Sequence, residues 1–267
     1  MFKKLIKPFL GKGLGKSFPI KFLSKSFIFI FNPFVIEGSK LYLPSDEIQF
    51  LSGYDPIKKD IFKHTIKKND VVVDLGAHIG YYTMLAARLV GKNGKVYAFE
   101  PYKNNFDLLK KNKETNKYDN IILENKAVID ETKTGEIYTW HESRYHSLYA
   151  KKDKFYQKIQ VVSLDDYFKN YSGKIDVIKI NIMGSECLAI KGMIEVLKKN
   201  KDVKIFMYFT PGRIKKLGGN PIDCLNILEE LGFKIRWIIK RNKLEEAPER
   251  MEELVESDET KELFLTR

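Results

Sequence analysis

The sequence predicts an α/β fold in which a mostly parallel sheet is covered by helices on both faces. Three observations carry this. The run Val71-Val72-Val73-Asp74 is apolar, β-branched and closed by an acid, as a strand buried on both faces requires. Gly76 and Gly80 then introduce residues 81–90, where Tyr82, Leu85, Ala86 and Leu89 have helical spacing. A second apolar run, 95–99, ends in another acid, Glu100, and completes one βαβ unit with a ligand edge at the carboxyl ends of its strands.

The alternation continues along the chain. Residues 104–116 read as a helix and 120–124 as a third strand, leading into Asn125-Lys126-Ala127-Val128. Residues 136–139 and 158–162 read as strands around an irregular insert, 140–157, and 164–170 as a short helix. The β-branched run 175–182 is a fourth strand, 185–199 a helix and 203–209 a strand rich in aromatic residues. A helix over 220–231, a strand over 233–239, an acidic link over 244–259 and a last strand over 262–266 complete the chain. The last two strands lack a regular crossover, so they predict an antiparallel hairpin at the sheet edge.

At 267 residues with 43% hydrophobic content, the chain can bury a full core. It divides into a basic, aromatic arm and lead-in, 1–65, and a catalytic domain, 66–267. Two cysteines, Cys187 and Cys224, exclude a disulfide framework and suit a reducing, cytoplasmic compartment. No run approaches the ~18 apolar residues of a membrane span, and no small-residue cleavage site follows the first apolar stretch. The net charge of +12 is uneven: Lys3, Lys4, Lys7, Lys12, Lys16, Lys21 and Lys25 all precede the first acid, Glu37. Interleaved with phenylalanines, segment 1–31 has the chemistry to lie on an anionic membrane surface. The same lysines suit nucleic-acid phosphates, the less favoured reading, or the solvated face of helices packed on the domain.

Spacing selects the ligand. A dinucleotide loop needs a glycine where the pyrophosphate presses on the backbone, and here Ala77 and His78 fill that place. Asp74-x-Gly76-x-x-x-Gly80 with Glu100 closing the next strand suits a nucleoside without phosphate. Glu100 would take both ribose hydroxyls and the Gly76–Gly80 turn the amino-acid end, so the expected cofactor is S-adenosylmethionine. The competing reading is a domain whose glycines serve packing alone.

These residues resemble the FkbM-like methyltransferases from about residue 35 onward. The likeness rests on Ser52-Gly53-Tyr54-Asp55-Pro56, the loop from Asp74 to Thr83, Ala98-Phe99-Glu100-Pro101, Asn125-Lys126-Ala127-Val128 and Ser147-Leu148. It extends through Ser163-Leu164-Asp165-Asp166-Tyr167, Ile178-Lys179-Ile180, Gly184-Ser185-Glu186, Lys191-Gly192, Phe209-Thr210-Pro211 and Leu231-Gly232-Phe233. The resemblance implies a Rossmann-like class I methyltransferase fold with a seven-stranded sheet. It further implies methylation of hydroxyl oxygens, in this chain those of a saccharide or lipid-linked glycan. Asp74, Gly76, Ala77, His78, Gly80, Tyr81, Glu100, Pro101 and Ala127 are its cofactor-binding positions, and His146 and Ser147 its substrate positions.

The chain departs from the family pattern on the catalytic side. Asn181 and Met183 stand where the family places acids, and Tyr208 where a glutamate is common. Asparagine is no base, and methionine is a poor ligand for hard cations. The catalytic candidates are therefore Glu186, the surviving acid, with Asn181 and Lys179; Lys179, inside an apolar strand, also calls for a buried carboxylate partner. His141, Glu142 and His146 on the insert make a poor metal set, and no metal is expected; His146 suits the role of a base. Two alternatives follow from the departures and the charge: a cofactor-binding scaffold without activity, and an RNA methyltransferase.

Overall fold

The computed structural model describes residues 33–44, 56–138, 156–240, 243–245, 248 and 250–267. A hairpin of β1 (Phe34–Ile36) and β2 (Ser39–Leu41) leads to helix α1 (Pro56–Thr65). The βαβ core follows as β3 (Val71–Leu75), α2 (Tyr81–Val90) and β4 (Lys95–Phe99), then α3 (Lys103–Asn116) and β5 (Ile121–Glu124). Strands β6 (Lys126–Val128), β7 (Lys133–Tyr138) and β8 (Tyr156–Val162) come next, then α4 (Leu164–Tyr167), β9 (Val177–Ile180), α5 (Glu186–Lys191) and α6 (Ile194–Lys199). The chain ends with β10 (Lys204–Phe209), α7 (Pro211–Lys216), α8 (Pro221–Glu230), β11 (Lys234–Lys240), β12 (Lys243–Glu245), a 3₁₀ turn at Met251–Val255 and β13 (Lys261–Thr266).

The main sheet runs in the order β12-β11-β13-β10-β9-β3-β4-β5. The five strands from β10 to β5 are parallel, and β13, β11 and β12 pair antiparallel. This is the expected α/β architecture with its antiparallel end, extended by an eighth short strand, β12, at the start of the predicted acidic link. The pleat explains the helices on both faces. Val72, Val96, Ala98, Val177 and Phe206 point to one side, where α1, α2 and α3 cover them. Val73, Leu75, Phe99, Ile178, Ile180 and Met207 point to the other, under α5, α6 and α8. The chain adds β4 and β5 on one side of β3 and β9 and β10 on the other, and this switch of strand order sets the ligand edge at the carboxyl end of β3.

Four features go beyond the pattern of the sequence. Strands β6, β7 and β8 form their own three-stranded sheet, with Ala127, Ile129, Ile159 and Val161 in a small apolar cluster. The helix predicted over 185–199 is broken into α5 and α6 at Gly192, where a Cβ would stand 2.0 Å from the carbonyl oxygen of Ile129. Helix α1 lies in the stretch assigned to the lead-in and packs Phe62 edge-on against Tyr82 and Phe206 at 5.1 and 5.2 Å. Helix α7, opened by Pro211, follows β10 directly. Segment 1–31 and His141, Glu142, His146 and Ser147 of the insert lie outside the described residues. Among the described residues no helix is long and apolar enough to cross a membrane.

Candidate functional site

The loop after β3 is built on backbone geometry that glycine permits. Gly76 has φ +74°, and a Cβ there would lie 2.0 Å from the carbonyl oxygen of Asn181. The N–H groups of Gly76 and Ala77 both donate to the Phe99 carbonyl at 3.0 Å, tying the loop to the end of β4. His78 is left-handed as well, at φ +54°, and its backbone N–H is thereby turned onto Glu100. Gly80 closes the turn at φ +95°, donates to the Ala77 carbonyl and starts α2; a Cβ would meet Leu109 of α3 at 2.6 Å.

Glu100 stands at the tip of β4, 5% exposed. Oε2 accepts from the His78 N–H at 2.8 Å and Oε1 from the Tyr102 N–H at 3.0 Å. The Asn105 side chain adds a further bond, and Asn125 holds the Glu100 carbonyl at 2.8 Å. The carboxylate plane is fixed with three of its about four lone pairs engaged, so two incoming hydroxyls would take the open one and that of Asn105. Burial pushes this carboxyl up to about 7, against the lowering effect of its N–H donors. An acid so desolvated gains from a ligand that brings two hydroxyl donors at once.

The sequence marks Asp74 as a cofactor contact and Lys179 as a catalytic candidate. The structure places them against each other. Lys179 Nζ donates to Asp74 Oδ1 at 2.7 Å, and Thr83 Oγ1 donates to Asp74 Oδ2 at 2.6 Å. The ammonium also donates to the Gly76 carbonyl at 3.1 Å. With Asp74 and Lys179 2% and 3% exposed, this ion pair shapes the loop from below. The Tyr82 ring covers it, with Lys179 5.7 Å from its centroid and Lys58 5.0 Å away on α1.

The ends of β9 and β10 border this loop on its other side. Asn181 donates its N–H to the Leu75 carbonyl at 3.0 Å, and its Oδ1 is buried without a donor among the described residues. Met183 at φ +52° and Gly184 at φ +112° make the following turn. Glu186, fully buried, clamps that turn: both its oxygens accept from the Gly184 N–H at 3.0 Å, and Oε2 also accepts from Thr210 Oγ1 at 3.0 Å. Burial pushes this carboxyl up to about 7 as well. Glu186 thus joins the β9 turn to the β10 end from inside the protein.

Other predicted positions scatter around this centre. Tyr81 is buried edge-on to Tyr82, Pro101 is half-buried beside Glu100, and Ala127 lies in the small sheet against Val161. Three groups escaped the sequence reading: Thr83, Thr210 and the pair Lys58–Glu262, whose charged atoms lie 3.2 Å apart. Glu262 is directly opposite Tyr208 in the β10–β13 ladder, and Lys58 lies 5.5 Å from the Tyr208 ring. Thr83 stands nine residues after Asp74, within reach of a local reading, whereas Thr210 and the Lys58–Glu262 pair depend on contacts between segments far apart in sequence. Among the described residues, no cluster of His, Cys, Asp or Glu is placed to hold a metal ion.

The residues therefore fit a nucleoside with an amino-acid tail: bare glycine backbone, an immobilised carboxylate for vicinal hydroxyls and an unpaired acceptor oxygen beside the turn. The family model described as the methyltransferase FkbM domain matches residues 74–235. A search of curated proteins finds no match. Similar solved structures include a methyltransferase FkbM from Methylobacillus flagellatus, 14% identical over 91% of this chain and 58% of that chain, with a TM-score of 0.45. A SAM-dependent methyltransferase from Aquifex aeolicus is 14% identical over 84% of this chain and 98% of the other, TM-score 0.46. An rRNA methylase from Streptococcus thermophilus is 11% identical over 79% of this chain and 94% of the other, TM-score 0.43. With more than half its length inside that family model, the chain belongs to the FkbM methyltransferases, and its cofactor is S-adenosylmethionine.

Proposed function

We propose that this methyltransferase acts on a hydroxyl oxygen of a saccharide or lipid-linked glycan. Family membership supports methyl transfer, and the likeness of the chain's motifs to hydroxyl-methylating relatives supports the acceptor class. The observation that carries the cofactor half is Glu100, buried, oriented by two backbone N–H groups and facing the glycine turn.

When bound, the cofactor supplies a methyl group on a sulfonium that is already activated for transfer. The chain's own residues position and shield. Glu100 receives the ribose hydroxyls, the Gly76–Gly80 turn brings backbone against the ligand, and the Asp74–Lys179 pair fixes that turn. Glu186 holds the β9 turn on which the acceptor would rest. Asp74, Glu100 and Glu186 all carry hydrogen bonds that define their place, so none is disposed to take a proton from an alcohol. Orientation of two reactants can supply ~7–11 kcal/mol of a transfer barrier, which favours a mechanism led by positioning. His146, outside the described residues, suits the remaining proton-accepting role.

The seven lysines and interleaved phenylalanines of segment 1–31 support a site of action at an anionic membrane surface, where a lipid-linked acceptor would be found. Purified protein incubated with methyl-labelled S-adenosylmethionine and fractionated cell extract tests the acceptor. Label in the glycan or glycolipid fraction is the expected result. Label in RNA overturns the acceptor class, and tight cofactor binding with no label in any fraction supports the scaffold instead.

A further inference from the structure

Among the described residues, Oδ1 of Asn181 is a buried acceptor atom at this mouth with no donor. A carboxamide oxygen shut away from water without a hydrogen bond is destabilising, so a native protein keeps one where a ligand satisfies it. Its place is specific. The Asn181 N–H bonds to Leu75, the last residue of β3, and its own carbonyl oxygen lies against Gly76. Asn181 therefore borders the very start of the glycine turn, the side assigned to the amino-acid end of the cofactor.

That end carries an ammonium, which needs hydrogen-bond acceptors. The carbonyl of Gly76, the first oxygen of the turn, already accepts from Lys179 Nζ at 3.1 Å, and a second cation there would meet the lysine's charge. Asp74 is filled by Lys179 and Thr83, and Glu186 by Gly184 and Thr210. Resting on the cofactor reading above, we infer that the Asn181 carboxamide oxygen receives the ammonium of the cofactor's amino-acid end. The residue at the mouth of β9 then serves cofactor binding rather than proton transfer. A neutral amide suits this task, since it offers an oxygen to a cation without placing a further charge beside the Asp74–Lys179 pair.

Calorimetric titration of the full chain with two nucleosides tests this. S-adenosylhomocysteine carries the ammonium, whereas 5′-methylthioadenosine lacks the whole amino-acid end. Asn181→Leu should weaken S-adenosylhomocysteine about 10- to 100-fold, the value of one hydrogen bond to a charged group, and leave methylthioadenosine within about twofold. Asn181→Asp keeps an acceptor and adds attraction for a cation, so it should hold S-adenosylhomocysteine at least as tightly as the wild type. If leucine is not tolerated, Asn181→Ala adds no bulk and should give the same split between ligands. Equal losses for both nucleosides, no loss for S-adenosylhomocysteine, or an aspartate variant as weak as leucine overturns the inference. Wild-type protein that binds neither nucleoside overturns the cofactor reading beneath it, whereas binding of both with no effect at position 181 overturns this assignment alone.

Discussion

Lys179 and Asp74 occupy paired positions on neighbouring parallel strands, and their side chains meet at 2.7 Å in the interior. A second bond, from Thr83 on the following helix, leaves neither carboxylate oxygen free. Removing one partner strands a buried charge, which typically costs about 3–5 kcal/mol. Lys179→Met should therefore lower stability by about that amount in urea unfolding. Lys179→Met combined with Asp74→Asn should be less damaging than the lysine change alone, because the charge is gone. A double variant as unstable as the sum of the two singles would show that the residues do not act as a pair.

Glu100→Ala should weaken S-adenosylhomocysteine about 100-fold or more in calorimetry, since two charge-assisted bonds are lost at about 1.5–3 kcal/mol each. The same residue predicts a pH dependence. Ribose hydroxyls donate to the ionised carboxylate, whereas the free protein holds this carboxyl at about 7 by burial. Binding then expels a proton, so affinity should rise with pH up to about 7, by at most about tenfold per pH unit, and flatten above it. In Glu100→Gln the slope should vanish; a slope that survives there belongs to another group.

Glu186 gives a stability signature. Its carboxyl is raised from 4.5 to about 7 in the folded chain, so between those values the folded state keeps a proton that the unfolded state has lost. Stability from this group is present below pH 4.5 and is lost as pH rises to about 7. Relative to wild type, Glu186→Gln should gain stability across that window, on the order of 3 kcal/mol, and then run parallel above it. Denaturant midpoints at several pH values measure the difference; a constant offset at every pH would refute it.

Removing residues 1–25 takes away seven lysines with their phenylalanine neighbours. The shortened chain should still bind S-adenosylhomocysteine but sediment less with vesicles containing phosphatidylserine, each lysine being worth about 1 kcal/mol at such a surface. Full-length protein that stays in the supernatant at low salt would remove the membrane from the proposal.

The parallel core was legible because its signals are local: β-branched runs closed by acids, glycines at the turn and helical spacing after it. Asp74 shows where that legibility stops. Its position at the end of a strand could be read, but its partner depends on the register between β3 and β9, which no window of sequence contains. The clamp from Glu186 to Thr210 and the Lys58–Glu262 pair are hidden for the same reason. Gly192 is a milder case: its helix has good spacing throughout, and only the fold shows that the backbone at Ile129 occupies the space a side chain there would need.

The place of β13 bears on how the chain is made. It follows both β10 and β11 in the sequence, yet it lies between them and hydrogen-bonds to both. Until it leaves the ribosome, β10 has an open edge and β11 has no neighbour on the side that joins the sheet. Union of β10 and β11 in one sheet thereby waits on a segment that follows both, and a nascent protein stalled before β13 would present two unpaired strand edges to other chains.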